Sequence, residues 1–308
     1  HLFMYPITFM EYLKAQNPVL AEKLTQPEVL EESSLYNLFL DAFNEYAFIG
    51  GMPEALAVYG ETRSYASVTE IYDAILIGYV EDVEKYSNLA KAKYLTHAID
   101  QAPLYAGERI TYEKFGESLF RSREMREAFD VLERALIVYR SRPSVSHHIP
   151  IIEKLRKAPK LFFLDVGLVN YRIGFKEFFT KQSLDNIYQG KISEQIAAQE
   201  IVAQTYRQPS LRFWVREKGT AETDFLYPFK GMVIPVEVKS GKTGKLKSLN
   251  LFMEHSDHPY AIRIYSGKNR IDKIALPSGK TYYLNSIPYY LLSRLDDVIE
   301  WFVSTCKR

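Results

Sequence analysis

Two acidic segments on either side of a turn constrain this chain more than any other feature. They are Glu222-Thr223-Asp224-Phe225 and Pro235-Val236-Glu237-Val238-Lys239-Ser240, with Lys230-Gly231 between them. The flanks, Glu222 to Phe229 and Met232 to Ser240, run apolar or alternate as strands do. Side chains on a strand point alternately to opposite faces, so Glu237 and Lys239 project together while Val236 and Val238 point into a core. Counting outward equally from the turn places Asp224 opposite Glu237, with Cβ atoms about 5 Å apart. Two carboxylates at that separation repel unless a cation or a proton lies between them.

A divalent metal is the economical explanation. Mg²⁺ (or Mn²⁺) takes one or two carboxylates and completes its shell with water and substrate phosphate, and Asp224 and Glu237 supply such oxygens. Lys239 stands beside them, where an ammonium can stabilise an attacking hydroxide or the charge building on a phosphate. Glu194, on the amphipathic run Lys191 to Tyr206, is the expected fourth member of the site and third metal carboxylate, holding a metal-bound water or a second ion.

The rest of the chain frames this constellation. At 308 residues, two or three domains are expected, since single cores stop growing below that length. Hydrophobic residues at 47%, with 23 Tyr and 18 Phe, are enough to fill them and argue against disorder. Residues 1–90 read as a helical module: Leu35, Leu38, Phe39, Ala42, Phe43 and Tyr46 recur at helical spacing after Ser33 and Ser34 as caps. Gly50 and Gly51 stop that helix, Pro53 opens the next, and Ile71, Ile75, Tyr79 and Val83 form one stripe of a third. Residues 91–180 read as three helices, Tyr94 to Tyr105, Thr111 to Leu119 and Ser122 to Val138, then strands Leu136 to Tyr139 and Lys160 to Leu164. Thr111 and Ser122 are the expected caps, and this order is that of a winged helix. A polar link, Lys181 to Gln189, leads into residues 181–308, a mixed α/β domain with strands to Tyr265 and helices near Lys245 to Glu254 and Asp296 to Thr305. The fold class expected is therefore α+β and multidomain.

The order Glu194, Asp224, Glu237-Val238-Lys239 resembles the restriction-endonuclease-like, PD-(D/E)xK fold, in which a helix packs on a mixed sheet carrying D and ExK on adjacent strands. The wording Ala158-Pro159-Lys160-Leu161-Phe162-Phe163-Leu164-Asp165-Val166-Gly167-Leu168, with Ile234 to Gly241, is similar to the uncharacterised C-terminal domain (domain of unknown function 4143) that follows prokaryotic AAA/STAND-type ATPase modules. That resemblance covers the chain from about Gly50 onward. Leu2 to Leu13 resembles the end of the ATPase module itself. The resemblance implies a Mg²⁺-dependent DNA phosphodiesterase with Glu194, Asp224, Glu237 and Lys239 as its site. The alternative it leaves open is a non-catalytic DNA- or protein-binding regulatory module with a degenerate nuclease fold. Thr223 stands where the proline of the family's name would precede Asp224.

Other candidates are weaker. Net charge is +1, so attraction to DNA must come from local patches: Arg121, Arg123 and Arg126 at a helix start, or Lys242, Lys245 and Lys247 after the ExK strand. Gly241-Lys242-Thr243 resembles the tail of a phosphate-binding loop, but Val236 stands where its first glycine is required, so ATP binding is expected only if a P-loop domain precedes His1. In that case Gly51-Met52-Pro53 resembles the GxP element of STAND-type ATPases, with a helix stop and restart as the simpler reading. The chain begins without Met and is expected to be part of something longer, with an upstream ATPase domain or another protein as partner. His147-His148 and His255 with His258 lack other ligands at zinc spacing and are expected on the surface. Cys306 is the single cysteine, which excludes an internal disulfide. Trp214 and Tyr227 are expected core residues. No apolar run reaches the roughly 18 residues of a membrane span, and no leader is readable, so a cytoplasmic protein is expected.

Overall fold

The computed structural model describes residues 4–31, 34–174, 191–204, 210–240 and 246–307. The Lys181 to Gln189 link, Ser33, Lys242 and Lys245 lie outside the described residues. The N-terminal part is helical: α1 (Phe9–Gln16), α2 (Pro18–Thr25), α3 (Glu28–Glu31), α4 (Tyr36–Ile49), α5 (Pro53–Thr62), α6 (Tyr65–Tyr86) and α7 (Leu89–Gln101). α1 starts with a reciprocal capping box between Thr8 and Glu11, which satisfies two backbone N–H groups that have no partner within the helix. The expected stop and restart around the Gly50-Gly51 pair is present. α4 ends at Gly50 with φ 80°, a conformation that favours glycine, and Pro53 occupies the first turn of α5. α4 begins after Leu35, which makes no side-chain cap. Phe39, Phe43 and Tyr46 are buried, and the Ile71, Ile75, Tyr79, Val83 stripe of α6 packs half-buried on the same core.

Next come β1 (Glu108–Arg109), α8 (Ser122–Arg134), β2 (Val138–Ser144), β3 (Lys160–Phe163) and α9 (Val166–Arg172). Two sequence expectations need correction here. Thr111 to Leu119 forms no α-helix, only a 3-10 turn at Phe115–Glu117. Lys114, Gly116 and Glu117 all take positive φ (52°, 60° and 58°), which a right-handed helix cannot accommodate. Nor is Ser122 a cap. It is the first helical residue of α8, and its N–H is taken by the Glu113 carboxylate at 2.8 Å.

The chain continues through α10 (Lys191–Ala203), β4 (Arg212–Val215), β5 (Glu222–Thr223), β6 (Phe225–Phe229), β7 (Met232–Val238), α11 (Lys247–His255), β8 (Tyr260–Tyr265), β9 (Arg270–Ala275), β10 (Thr281–Pro288) and α12 (Leu295–Cys306). The chain is thus α+β, with two five-stranded sheets ordered β1-β3-β2-β4-β5 and β6-β7-β8-β10-β9. The β2–β3 pair is not a free-standing wing. β2 runs parallel to β4, with Arg142 beside Arg212, so strands from both sides of residue 181 share one sheet. In the second sheet β7, β8 and β10 run parallel, while β6 and β9 pair antiparallel at its edges. Among the described residues no helix is long and apolar enough to cross a membrane.

The strand that carries Glu222, Thr223 and Phe225 changes sheets at Asp224. Thr223 pairs with Trp214 in the first sheet, and Phe225 pairs with Val236 in the second. Asp224, at the corner, belongs to neither ladder.

Candidate functional site

The β6–β7 register is the one expected from the turn. Phe229 pairs with Met232 and Phe225 with Val236, the last pair of the ladder, and Asp224 stands just beyond it, beside the end of β7. Both are buried, at 7% and 5% exposure, which for carboxylates requires compensation. Asp224 Oδ2 accepts the Val238 N–H at 2.8 Å and ties the corner to the end of β7. Glu237 Oε1 meets Lys239 Nζ at 2.5 Å, while its Oε2 is buried with no partner.

α10 brings Glu194 to the same place. Beyond the two residues of β1, the edge of β3 has no strand partner, and glutamines of α10 replace one. Gln195 accepts the Phe163 N–H at 3.0 Å and donates to the Phe163 carbonyl at 2.8 Å, and Gln199 accepts the Val166 N–H at 2.8 Å. Buried backbone groups must be paired, so these bonds set α10 against β3 through Gln195 and against the start of α9 through Gln199. The first turn of α10 then falls beside the start of β3, and Glu194 meets Lys160.

Lys160 is the residue that sequence reasoning missed. It is 2% exposed, and its Nζ lies 2.7 Å from Glu194 Oε2, 3.0 Å from Asp224 Oδ1 and 3.3 Å from Glu222 Oε1. Burial alone would lower its pKa, but the Asp224, Glu194 and Glu222 carboxylates outweigh that and raise it. The ammonium is therefore held charged. The only sequence signal was its place in the Ala158 to Leu168 wording, which assigns it no partner.

The remaining charges are unequally compensated. Burial and the Asp224 charge raise the Glu194 pKa against the opposing pull of Lys160. Burial and Asp224 likewise raise Glu237, against Lys239. For Lys239, burial lowers the pKa, and Glu237, Asp224 and Glu194 together raise it. The four expected residues Glu194, Asp224, Glu237 and Lys239 thus belong to one buried cluster, with Lys160 at its centre.

The donor set bears on the expected metal. Glu237 Oε2 is an unpaired buried oxygen of the kind Mg²⁺ prefers, and the nearby Asp224 charge acts on the same carboxyl. Lys160, however, takes up both Glu194 and Asp224 Oδ1, and Asp224 Oδ2 accepts the Val238 N–H. Among the described residues no group of three or more His, Cys, Asp or Glu could hold a metal ion. A cation here would find Glu237 Oε2 open and would have to displace the Lys160 ammonium from Asp224.

Other candidates separate from this cluster. Arg121, Arg123 and Arg126 are exposed at the start of α8, with the Arg126 guanidinium 4.9 Å above the Tyr112 ring, and none of them pairs with a carboxylate of the site. Lys247 is exposed at the first residue of α11. Gly51 works as a joint: its N–H donates to Asp165 Oδ2 at 2.6 Å. The surface expectation for the histidines holds for His148 and His255 only. His258 is buried, its Nε2 lies 2.8 Å from the Val233 carbonyl and its Nδ1 accepts the Tyr260 N–H at 3.2 Å. His147 is half-buried and lies 5.5 Å from the His255 ring, a pairing that chain adjacency did not show. Trp214 is in the core, whereas Tyr227 is half-buried and donates to Asp296 at 2.8 Å.

Residues 189–282, from just before α10 into β10, match the family model described as Domain of unknown function (DUF4143). Residues 40–178 match a second, described as Domain of unknown function (DUF8612). An uncharacterized protein of Methanocaldococcus jannaschii is similar at 23% identity over 258 residues, covering 79% of this chain and 51% of that protein. The chain spans about half the length of that curated relative. No solved structure matches it.

Proposed function

We propose that the cluster is a divalent-cation-dependent phosphodiesterase site of the PD-(D/E)xK type, acting on DNA. The carrying observation is the placement of Asp224 at the end of the β6–β7 ladder, beside Glu237 and Lys239, with Glu237 Oε2 buried and unpaired. In this reading Asp224 and Glu237 hold Mg²⁺ or Mn²⁺, which when bound polarises the scissile phosphate and lowers the pKa of water. Lys239 is the charge beside the reacting phosphate, free to turn toward it from Glu237. Glu194, whose pKa is raised by burial, can hold a proton on its carboxyl. Lys160 is a positioning residue, fixing Glu194 and Asp224 relative to each other.

The finer architecture goes with this reading. α10 and the second sheet correspond to the restriction-endonuclease-like domain. α7, α8 and the β2–β3 pair stand in the order of a winged helix, with the Phe115–Glu117 turn in place of its middle helix. In this reading the chain is the C-terminal part of a cytoplasmic ATPase, and ATP is bound only if a P-loop domain accompanies it. The test is a Mg²⁺ and Mn²⁺ titration with supercoiled and linear DNA, with Lys239→Ala beside the wild type. Cleavage is expected from the wild type only, and cleavage surviving in the variant would point to a contaminant.

A second reading has its own support. Because Lys160 already neutralises Glu194 and Asp224, the cluster can stand as an internal ion network in a DNA- or protein-binding regulatory module. A wild type that binds DNA and stays inert with both cations would favour it.

A further inference from the structure

The row that begins with Glu237 does not end there. Glu237 on β7 is the register partner of Arg263 on β8, Arg263 that of Ser286 on β10, and Ser286 that of Arg270 on β9. Register partners in neighbouring strands point to the same face. Val233, Ala261 and Leu284, each an even number of residues from a row member, pack in one cluster, while Val236, Ile262 and Ile287 pack in the other. The row is therefore a single polar line across one face of the sheet, at the carboxyl ends of the parallel strands β7 and β8. That is where open α/β sheets bind ligands.

Arg263 is the unusual member. It is 5% exposed, and its Nε and Nη2 are buried with no hydrogen-bond partner. Ser286 Oγ, fully buried on the next strand, has none either. A guanidinium is always charged, and leaving its N–H groups unpaired away from water costs more than leaving a neutral donor unpaired. Its plane is also held, with the guanidinium carbon 4.6 Å from the centroid of the Tyr265 ring. Its register neighbour Glu237 makes no hydrogen bond to it: Oε1 meets Lys239, and Oε2 has no partner.

We propose that Arg263 and Ser286 form a phosphate-recognition site, one strand away from Glu237, that holds a phosphodiester of the nucleic-acid strand. A planar fork of N–H donors with a hydroxyl beside it matches phosphate oxygens. Neighbouring strands lie about 4.8 Å apart, so a phosphate on Arg263 sits a single side-chain step from the Asp224–Glu237 pair. The identity of the strand as substrate rests on the nuclease reading, but the phosphate site itself does not.

The experiment is binding without divalent cations. In EDTA, anisotropy of a labelled single-stranded 12-mer DNA is measured with the wild type, Arg263→Gln, Arg263→Lys and Ser286→Ala, and inorganic phosphate competes in a second arm. Arg263→Gln is expected to weaken binding about tenfold and Ser286→Ala by less, with Arg263→Lys between Arg263→Gln and the wild type. Competition by inorganic phosphate at millimolar level identifies an isolated phosphate site, whereas competition only by unlabelled oligonucleotide identifies one tuned to the strand. If Arg263→Gln does not fold, the wild type alone decides: phosphate should raise its melting temperature above that in chloride of equal ionic strength. Unchanged affinity in folded Arg263→Gln, or the absence of both binding and phosphate stabilisation in the wild type, overturns the site. A wild type that binds through Arg263 but never cleaves would sink the nuclease reading alone.

Discussion

The ammonium of Lys160 lies 3.0 Å from Oδ1 of Asp224, although 64 residues separate them in the chain. One comes from β3 in the first sheet, the other from the corner where the chain crosses to the second. The contact joins both sheets to the first turn of α10 through Glu194. A buried cation among carboxylates is a demanding arrangement, because each charge has given up water and is compensated only by the others.

Lys160→Met should therefore be costly in a pH-dependent way. Removing one partner of a buried ion network costs about 3–5 kcal/mol. The stranded Glu194, whose pKa burial already raises, can recover part of this by taking up a proton. A carboxyl whose pKa is raised on folding contributes stability at low pH and loses it as pH rises, so the deficit should be larger at pH 8 than at pH 5. Urea unfolding of both proteins at the two pH values measures it, and a deficit independent of pH would count against the cluster.

Divalent cations offer a second readout on the same variant. With the ammonium gone, Mg²⁺ or Mn²⁺ should raise the melting temperature of Lys160→Met more than that of the wild type, since binding to the folded state stabilises by mass action. Equal shifts would mean that the carboxylates do not accept a metal in place of the lysine.

Glu200, far from this cluster, makes a separate prediction. Its carboxylate is fully buried on α10 and accepts the Phe9 N–H at 2.9 Å and the Tyr46 hydroxyl at 2.7 Å, with Oε2 unpaired. Burial pushes its pKa up to about 7, against the lowering effect of those two hydrogen bonds. The sign follows from linkage: this contribution is full below the ordinary carboxylate range and lost as pH rises toward 7. Spread over that interval it amounts to about 3 kcal/mol. Glu200→Gln puts an uncharged amide in the same space, and should be more stable than the wild type at pH 8 and no better at pH 4.5. Chemical denaturation across that range tests it.

Gly167→Ala probes the joint between the helical part and α9. A Cβ at this position would stand 1.9 Å from the Ile49 carbonyl oxygen, which is backbone and cannot rotate away. Overpacking typically costs about 1–3 kcal/mol, and a clash with backbone belongs at or above the upper end. A melting temperature within a degree of the wild type would show that this packing is looser than described.

His258 should remain neutral with its proton on Nε2. Burial lowers its pKa, and its two contacts assign donor and acceptor: Nε2–H to the Val233 carbonyl, and Nδ1 from the Tyr260 N–H. A depressed histidine stabilises the fold above its unfolded pKa and loses that contribution as pH falls through the folded value. Ring-nitrogen chemical shifts should show one tautomer at pH 6, where a free imidazole of pKa about 6.5 is mostly protonated.

Much of the local structure was legible before folding was considered. The three- and four-residue spacing of Phe39, Phe43 and Tyr46 marks the buried face of α4, and Gly50 and Pro53 mark its end and the next start. The Lys230-Gly231 turn was enough to set the β6–β7 register, because alternation and turn position leave no other pairing that keeps Val236 and Val238 inside. The middle helix of residues 91–180 was misread because a polar segment with a few apolar residues satisfies a helical pattern without specifying backbone sign. Lys114 and Glu117 take positive φ there, a choice made by tertiary contacts and invisible in residue type.

By itself, then, the sequence determined the helical stripes and the hairpin with its register out to Phe225 and Val236, all of which follow from periodicities of two and 3.6 acting over neighbouring residues. Only the tertiary structure decided that Lys160 is the counter-ion of Glu194 and Asp224, that Gln195 and Gln199 align α10 with β3 and α9, and that Arg263 and Ser286 extend the polar row. Those partners meet because sheets pair and helices pack across long stretches of chain, and nothing in local spacing encodes which distant strand will lie alongside.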